Sequence, residues 1–296
     1  MVTYFRAFQL NSKGSLFSFW KNNVYALIEA RLPKGGIDVL ISDIYQFGKN
    51  RIDTLHITSW DTDHCNIDDL TQILNRLRPD KIEIPSYEPN SDTGKLCKSL
   101  ITKYDYIHQR YVYNVKIFNK ATIDSLPVAQ AWGTGDVVYH SLYNVDNHND
   151  MSQIRLFRSN GFNVLSLGDC ESEEITKYLM NSTFFIKNEV DILILPHHGS
   201  DHSMLTGEFL DFCKPSLAVC SSNYDNEHDH PHQPVRNLLS RRDIKLMTTK
   251  RGDVIVKQNY LTLQAEAFNL ISNNMDMEAP FKVYTKRNQK LKNNGF

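Results

Sequence analysis

Four apolar runs in this chain end abruptly in ionisable side chains, and that repeated junction limits the available folds more than any other feature. The run DTLHITSW leads into Asp61, Asp63 and His64, and NVLSLG leads into Asp169. DILILP leads into His197, His198, Ser200 and His202, and LAVCSSN leads into His228, His230 and His232. Parallel strands in an α/β fold present their C-terminal ends along one edge, so side chains that follow such strands can meet in space. The four clusters therefore predict one site.

The order of elements fits that arrangement. Aromatic and β-branched runs VTYFRAF, SLFSFW, NVYALIEARL and GIDVLISDIY, separated by NSKG, KNN and PKGG, predict four N-terminal strands. After DTLHITSW, Ile67, Leu70, Leu74 and Leu77 recur at helical spacing up to Pro79, and a strand KIEIPS and a helix from Gly94 to Gln109 follow. RYVYNVKIF, DVVYHSLYN and SQIRLF read as strands. Beyond NVLSLG the chain alternates helix and strand through ESEEITKYLMNS, SMLTGEFLDFC and PVRNLLSRR to the closing strands IKLMTT, DVIVKQ and LTLQAEAF. Strand clusters mixed with helices along the whole length predict two sheets packed face to face with helices outside. With 296 residues and 41% hydrophobic content, the chain can fill the cores this requires.

Lys and Arg number 33 against 34 Asp and Glu, so overall charge gives no reason to expect a nucleic-acid partner; such a partner has to be argued locally. The one dense basic stretch is C-terminal, with Lys282, Lys286, Arg287, Lys290 and Lys292, and it reads as a solvated tail. The five cysteines form no CxxC pair, no signal peptide is apparent, and no apolar run approaches the roughly 20 residues of a membrane span. A soluble, cytoplasmic protein is the expectation.

Histidine and carboxylate together suit zinc, manganese or iron, whereas calcium and magnesium favour oxygen alone. Asp61 and Asp63 can balance a dication, and a bound metal brings the pKa of a water down to about 7. Each cluster also has an ordinary reading. An Asp-His pair after a strand serves as a turn and helix cap, with Asn66 or Asp63 as the cap, and Gly168-Asp169 is a common turn dipeptide. The histidine-rich DNEHDHPHQ reads equally as a surface loop. A single metal site accounts for all four clusters at once.

In this order the motifs TSWDTDH, NDMSQIRLF, LPHHGSDHS, SSNYDNEHDHPH and TTKRGDVIV resemble the metallo-β-lactamase-fold hydrolases. Within that group they are similar to the hydrolase domain of ComEC-like DNA-uptake proteins. The resemblance covers roughly residues 1–268 and implies an αββα four-layer sandwich, with residues 269–296 as a basic, flexible tail. It puts Asp61, Asp63, His64, Asp169, His197 and His230 at metal-site positions, with Asp169 as the bridging carboxylate and His197 or His198 among the later histidines. Ser59 stands where the family places its first histidine, and serine is a poor zinc ligand. Asn149, beside His148, lies near the place of another family histidine. One or two divalent ions, manganese or zinc, are implied.

The function implied is a metal-dependent phosphodiester hydrolase, a nuclease acting on DNA or RNA, with Asp63, His198 and Ser200 as catalytic groups. Cleavage of a small cyclic or signalling nucleotide is an alternative within the same chemistry. A binding or regulatory module that keeps the fold but has weakened catalysis is an alternative of another class, and Ser59 is its main support.

Overall fold

The computed structural model describes residues 2–85, 87–108, 111–114, 136–140, 147–182, 185, 187–223, 226–259, 264–271, 280–283 and 285. Its first sheet contains β1 (Tyr4–Ala7), β2 (Phe17–Lys21), β3 (Val24–Ile28), β4 (Thr54–His56), β5 (Lys81–Ile84) and β6 (Tyr111–Asn114). It is completed by β13 (Asp253–Gln258), β14 (Ala265–Leu270) and β15 (Phe281–Val283), in the order β15-β14-β13-β1-β2-β3-β4-β5-β6. The second sheet contains β7 (Val137–His140), β8 (Gln153–Phe157), β9 (Val164–Ser166), β10 (Ile192–Ile194), β11 (Leu217–Cys220) and β12 (Lys245–Thr248), in reverse order from β12 to β7. Strands β3 to β6 run parallel, as do β9 to β12. Their C-terminal ends supply the junctions that carry the ionisable clusters.

Six helices clad the sheets among the described residues: α1 (Ile37–Tyr45), α2 (Ile67–Leu77), α3 (Asp92–His108), α4 (Glu173–Asn181), α5 (Gly207–Cys213) and α6 (Gln233–Ser240). Three apolar cores separate the four layers. Tyr25, Leu27 and Leu55 of the first sheet pack on Leu40, Ile73, Leu74 and Ile101 of α1 to α3. Its other face, with Phe5, Phe17, Phe19 and Ile28, packs on Phe157, Val164, Ile192 and Val219 of the second sheet. Leu156, Leu165, Leu193 and Ala218 on the far face of that sheet meet Leu179, Phe209 and Leu239 of α4 to α6. This is the αββα sandwich that the resemblance implies. Truncating a central side chain such as Phe19, 1% exposed, to alanine should cost about 3–5 kcal/mol.

Among the described residues, the sequence patterns translate into local structure except in GIDVLISDIY and at residues 281–283. KNN closes the β2–β3 hairpin with Asn22 and Asn23 both at positive φ (48° and 65°), a conformation asparagine tolerates and a two-residue hairpin turn requires. Asn66 caps α2, its side chain accepting from the N–H groups of Asp68 (3.0 Å) and Asp69 (3.4 Å). GIDVLISDIY, expected as a strand, is instead the helix α1. Its buried positions Ile37, Leu40, Asp43 and Ile44 recur at helical spacing, and β-branched content obscures that period. Asp43 is buried because Tyr25, Arg6 and Ser18 all donate to its carboxylate.

Residues 281–283, expected within the tail, add β15 to the sheet through Ala265↔Val283 and Ala267↔Phe281, and Lys282 sits opposite Glu266. Lys286, Arg287, Lys290 and Lys292 lie outside the described residues. A buried ionic chain also ties the two sheets together. His56 Nδ1 lies 2.8 Å from Glu83 Oε2, Arg155 of β8 donates to Glu83, and Arg155 Nη2 donates to Asp136 at 2.7 Å. His56 itself is fully buried.

Candidate metal centre

The first part of the site is assembled where β3 and β4 end side by side. Glu29, just past β3, is 2% exposed and held at φ 71°. Its carboxylate accepts from Thr58 Oγ1 (2.6 Å) and Thr58 N (3.0 Å), and its Oε1 lies 3.2 Å from His64 Nδ1. Between Thr58 and His64 the chain makes a tight turn in which the N–H groups of His64 and Cys65 donate to Asp61 O at 2.9 and 2.8 Å. The Asp63 carbonyl accepts from Ser15 N at 3.0 Å. Gly14, at φ 132°, allows that approach, because a Cβ there would lie 2.3 Å from the Asp63 oxygen.

The remaining parts come from the second sheet. Asp169 follows β9 after Gly168, whose φ of 56° and closeness to Ser152 (2.7 Å from a built Cβ) leave room for no side chain. Asp169 N donates to Ser152 Oγ at 3.3 Å. After β10, His197 and His198 occupy consecutive left-handed conformations, φ 44° and 54°. Each such residue costs roughly 1–2 kcal/mol, and the pair sends the two imidazoles in different directions. His198 Nε2 comes within 3.2 Å of Asp63 Oδ2, whereas His197 Nδ1 comes within 2.7 Å of Glu171 Oε1.

Asp63, His64, Asp169 and His198 each place a donor atom within 4.8 Å of the other three. His64 Nε2 is 2.7 Å from Asp169 Oδ2 and 3.9 Å from Asp63 Oδ1. Both imidazoles are fixed from behind at Nδ1, His64 by Glu29 and His198 by the Ser221 carbonyl at 3.1 Å, so that Nε2 of each faces the carboxylates. Burial alone would lower the pKa of His64, but Asp169, Glu29 and Asp63 outweigh it and hold it well above its usual value. Burial likewise opposes ionisation of Asp63 and Asp169, yet the neighbouring imidazoles depress both pKa values. Burial also works against the charged form of His198, and the hydrogen bond to Asp63 with the field of Asp169 raises it. Two carboxylates and two Nε2 atoms gathered in this way, with protons balancing the charge, form a donor set that could hold a divalent metal ion.

The other expected site residues lie around this group. Ser59 donates to Asp61 Oδ2 at 3.0 Å and lies 3.1 Å from the Tyr87 hydroxyl, which also accepts from Trp60 N at 3.2 Å. Asp61 is thereby occupied in a hydrogen-bond network beside Ser59 and stands outside the four-donor group. His230, 8% exposed, stacks against His198 with ring centroids 6.3 Å apart. Burial and the surrounding imidazoles push its pKa down to about 4, so it is neutral at pH 7. Ser200 lies past the turn, its N–H bonded to His197 O at 2.9 Å. Asn149 and Asn147 donate to the carboxylate of Glu171, both at 2.7 Å, and His148 pairs with Asn90 and stacks on Tyr87.

Glu29, Ser221 and Tyr87 take part in the site without having been singled out in the sequence. Glu29 had one visible signal, a carboxylate ending the apolar run NVYALI. Ser221 acts through its backbone carbonyl, which sequence does not mark. A cavity of about 160 Å³ opens from Asp63 and His198, and Lys13, Asn223, Asn226, Glu227 and His230 are among the residues that line it.

Two facing sheets clad in helices, with imidazoles and carboxylates at converging strand ends, make up a metallo-β-lactamase-type fold. Solved structures agree. A metallo hydrolase from Ignicoccus hospitalis, Igni18, superposes with a TM-score of 0.50 at 14% identity, over 87% of this chain and 100% of its own. The metallo-β-lactamase fold protein YhfI from Bacillus subtilis gives 0.50 at 10% identity, over 86% and 99%. A variant of the β-hydroxylase CmlA gives 0.53 at 12% identity, over 86% of this chain and 53% of that one. At these identities the likeness is one of fold.

No protein-family model matches the chain. In sequence it resembles competence proteins. It is 33% identical over 108 residues, 36% of this chain, to ComE operon protein 3 of Bacillus subtilis (strain 168), and 43% identical over 58 residues, 20% of this chain, to competence protein ComA of Neisseria gonorrhoeae. These matches span only 13% and 8% of the two proteins' own lengths.

Proposed function

We propose that this chain is a metal-dependent phosphodiester hydrolase that cleaves nucleic acid, DNA or RNA. The observation that carries the reading is the four-donor group of Asp63, His64, Asp169 and His198, with each imidazole Nε2 aimed inward by a partner at Nδ1. These four residues would hold one divalent ion, zinc or manganese, which when bound supplies an acidified water and polarises a phosphoryl oxygen. Glu29 and the Ser221 carbonyl fix the tautomer and direction of the imidazoles. Lys13 at the cavity mouth attracts the phosphate charge, and the amide of Asn223 beside it offers a hydrogen bond, while Asn226 holds the loop by donating to Asn223 O and His230 O. Neutral His230 adds a polar wall without repelling a cation.

Nucleic acid is favoured over a free small nucleotide by the resemblance to competence proteins. Five cysteines, all free and buried, support a reducing, cytoplasmic setting. No helix among the described residues is long and apolar enough to cross a membrane. The Ser59–Asp61–Tyr87 network favours the second reading, a module with weakened catalysis.

The deciding experiment incubates the metal-loaded chain with labelled single- and double-stranded DNA, RNA, cyclic dinucleotides and bis(p-nitrophenyl) phosphate. The proposal expects metal-dependent cleavage of nucleic acid and of the aryl diester, lost in Asp169→Asn. Cleavage of cyclic dinucleotides alone would move the substrate to the small-nucleotide class. A chain that binds metal and cleaves none of these substrates is the binding module.

A further inference from the structure

A second group of metal-capable side chains lies beside the first and shares no residue with it. Glu171 follows β9 by five residues, His197 follows β10, and His202 belongs to the loop that leads toward α5. Their donor atoms all lie within 4.8 Å of one another. Glu171 Oε1 is 2.7 Å from His197 Nδ1 and 3.4 Å from His202 Nε2, and the two imidazoles stack in near-parallel planes with centroids 5.1 Å apart.

We propose that Glu171, His197 and His202 form a second divalent-metal site, with two imidazoles and one carboxylate as its ligands. An ordinary ion pair would direct an N–H at the carboxylate. Here the buried His197 Nδ1 makes no hydrogen bond despite its 2.7 Å approach to Glu171. Two imidazole nitrogens converging on one carboxylate oxygen is the arrangement that a shared cation resolves.

The carboxylate is positioned from behind. Asn147 and Asn149 hold one oxygen each, and Ser203 Oγ donates to the Glu171 carbonyl at 2.9 Å. This is the kind of outer support that metal-ligating carboxylates receive. The left-handed backbone at His197 is what turns its ring out of the first group and toward Glu171. Side chains at 18%, 28% and 36% exposure leave room for water to complete a tetrahedral shell. This ligand set selects zinc or a similar borderline ion over calcium or magnesium.

The test measures zinc per chain by elemental analysis after chelator-stripped full-length protein is dialysed against excess zinc, with folding of each variant checked by circular dichroism. The unmodified chain should hold two ions, E171Q/H202N one, and D63N/D169N one. His202 is a partly exposed loop residue, so its substitution removes a ligand without emptying a core. The assignment is overturned if E171Q/H202N holds as much zinc as the unmodified chain or if D63N/D169N holds none. It is also overturned if the second ion disappears with H228N instead, which would place it on the loop after β11. A chain that binds one ion, lost only in D63N/D169N, overturns the second site while leaving the first in place.

Discussion

Glu29 Oε1 lies 3.2 Å from His64 Nδ1, and both side chains are 2% exposed. The two residues are joined because β3 and β4 are parallel neighbours that end together, so a group one step past β3 meets the turn that follows β4. Glu29 adopts φ 71°, a conformation that costs a non-glycine residue of order 1–3 kcal/mol. Hydrogen bonds from Thr58 N and Oγ1, besides the contact with His64, hold it there.

Glu29→Gln keeps the shape of the side chain and removes its charge. Metal affinity at the four-donor site should fall roughly tenfold to a hundredfold, the usual effect of losing an outer partner of a ligating histidine. Calorimetric titration with zinc or manganese checks this. An unchanged affinity would remove Glu29 from any role in orienting His64.

Ser59→His would install the histidine that the sequence resemblance expects at this position. The site has closed around serine, which is fully buried between Asp61 and Tyr87. The added ring should overpack this corner and cost about 1–3 kcal/mol, without adding an ion. A lower melting temperature with unchanged metal content is the expected result. A gain of one ion per chain would show that the corner can be rebuilt as a ligand position.

Glu83 carries a pH signature. Burial would raise its pKa, but Arg155 and His56 outweigh that and depress it well below the usual carboxylate range. A depressed carboxylate stabilises the fold above its unfolded pKa of about 4.3, and that contribution is lost as pH falls toward the folded value. Glu83→Gln should therefore be less stable than the unmodified chain at pH 7, by about 3–5 kcal/mol for a broken buried pair. The gap should begin to shrink below about pH 4 and close only as pH approaches the folded value. Chemical denaturation at pH 7, 5 and 3.5 provides the comparison, and a constant gap would locate the depressed group elsewhere.

Lys13 and Glu227 pair across the cavity mouth, both exposed. The proposed phosphodiester substrate would have to draw Lys13 away from Glu227 to use its charge. Lys13→Met should raise KM for an aryl phosphodiester several-fold with little change in kcat, and Glu227→Gln should lower KM. Both effects should shrink at high salt, because exposed charges are screened within about 10 Å at 0.1 M. Steady-state kinetics at two ionic strengths test the pair.

Asp63, His64, Asp169 and His198 were legible in the sequence because each follows an apolar strand directly, and parallel strands bring such positions together. His197 looked equivalent to His198, but consecutive left-handed residues send neighbouring side chains apart, and a sequence shows no φ angle. Glu29 also follows an apolar strand but stands as a lone carboxylate inside the run NVYALIEARL, and Tyr87 enters from the segment after β5, where no ionisable cluster marks it. The segment of helix α1 reads as a strand because Ile and Val suit strands, while its buried face follows a helical period carried partly by the charged Asp43. Partners drawn from distant segments, such as Glu83 and Arg155, leave no trace in local pattern.

The placement of β1 has a consequence for how the chain comes to be folded. Phe5 pairs with Phe19 on one side and with Val256 on the other, about 250 residues further along. A ribosome adding about 5–20 residues per second needs on the order of 10–50 s to deliver β13 after β1 has emerged. Throughout that interval the β1–β2 hairpin carries an open strand edge flanked by Phe5 and Ala7, the kind of edge that recruits other chains. Newly made protein should accordingly depend on slow synthesis at low concentration or on a chaperone, and truncation before Asp253 should yield aggregates rather than a smaller domain.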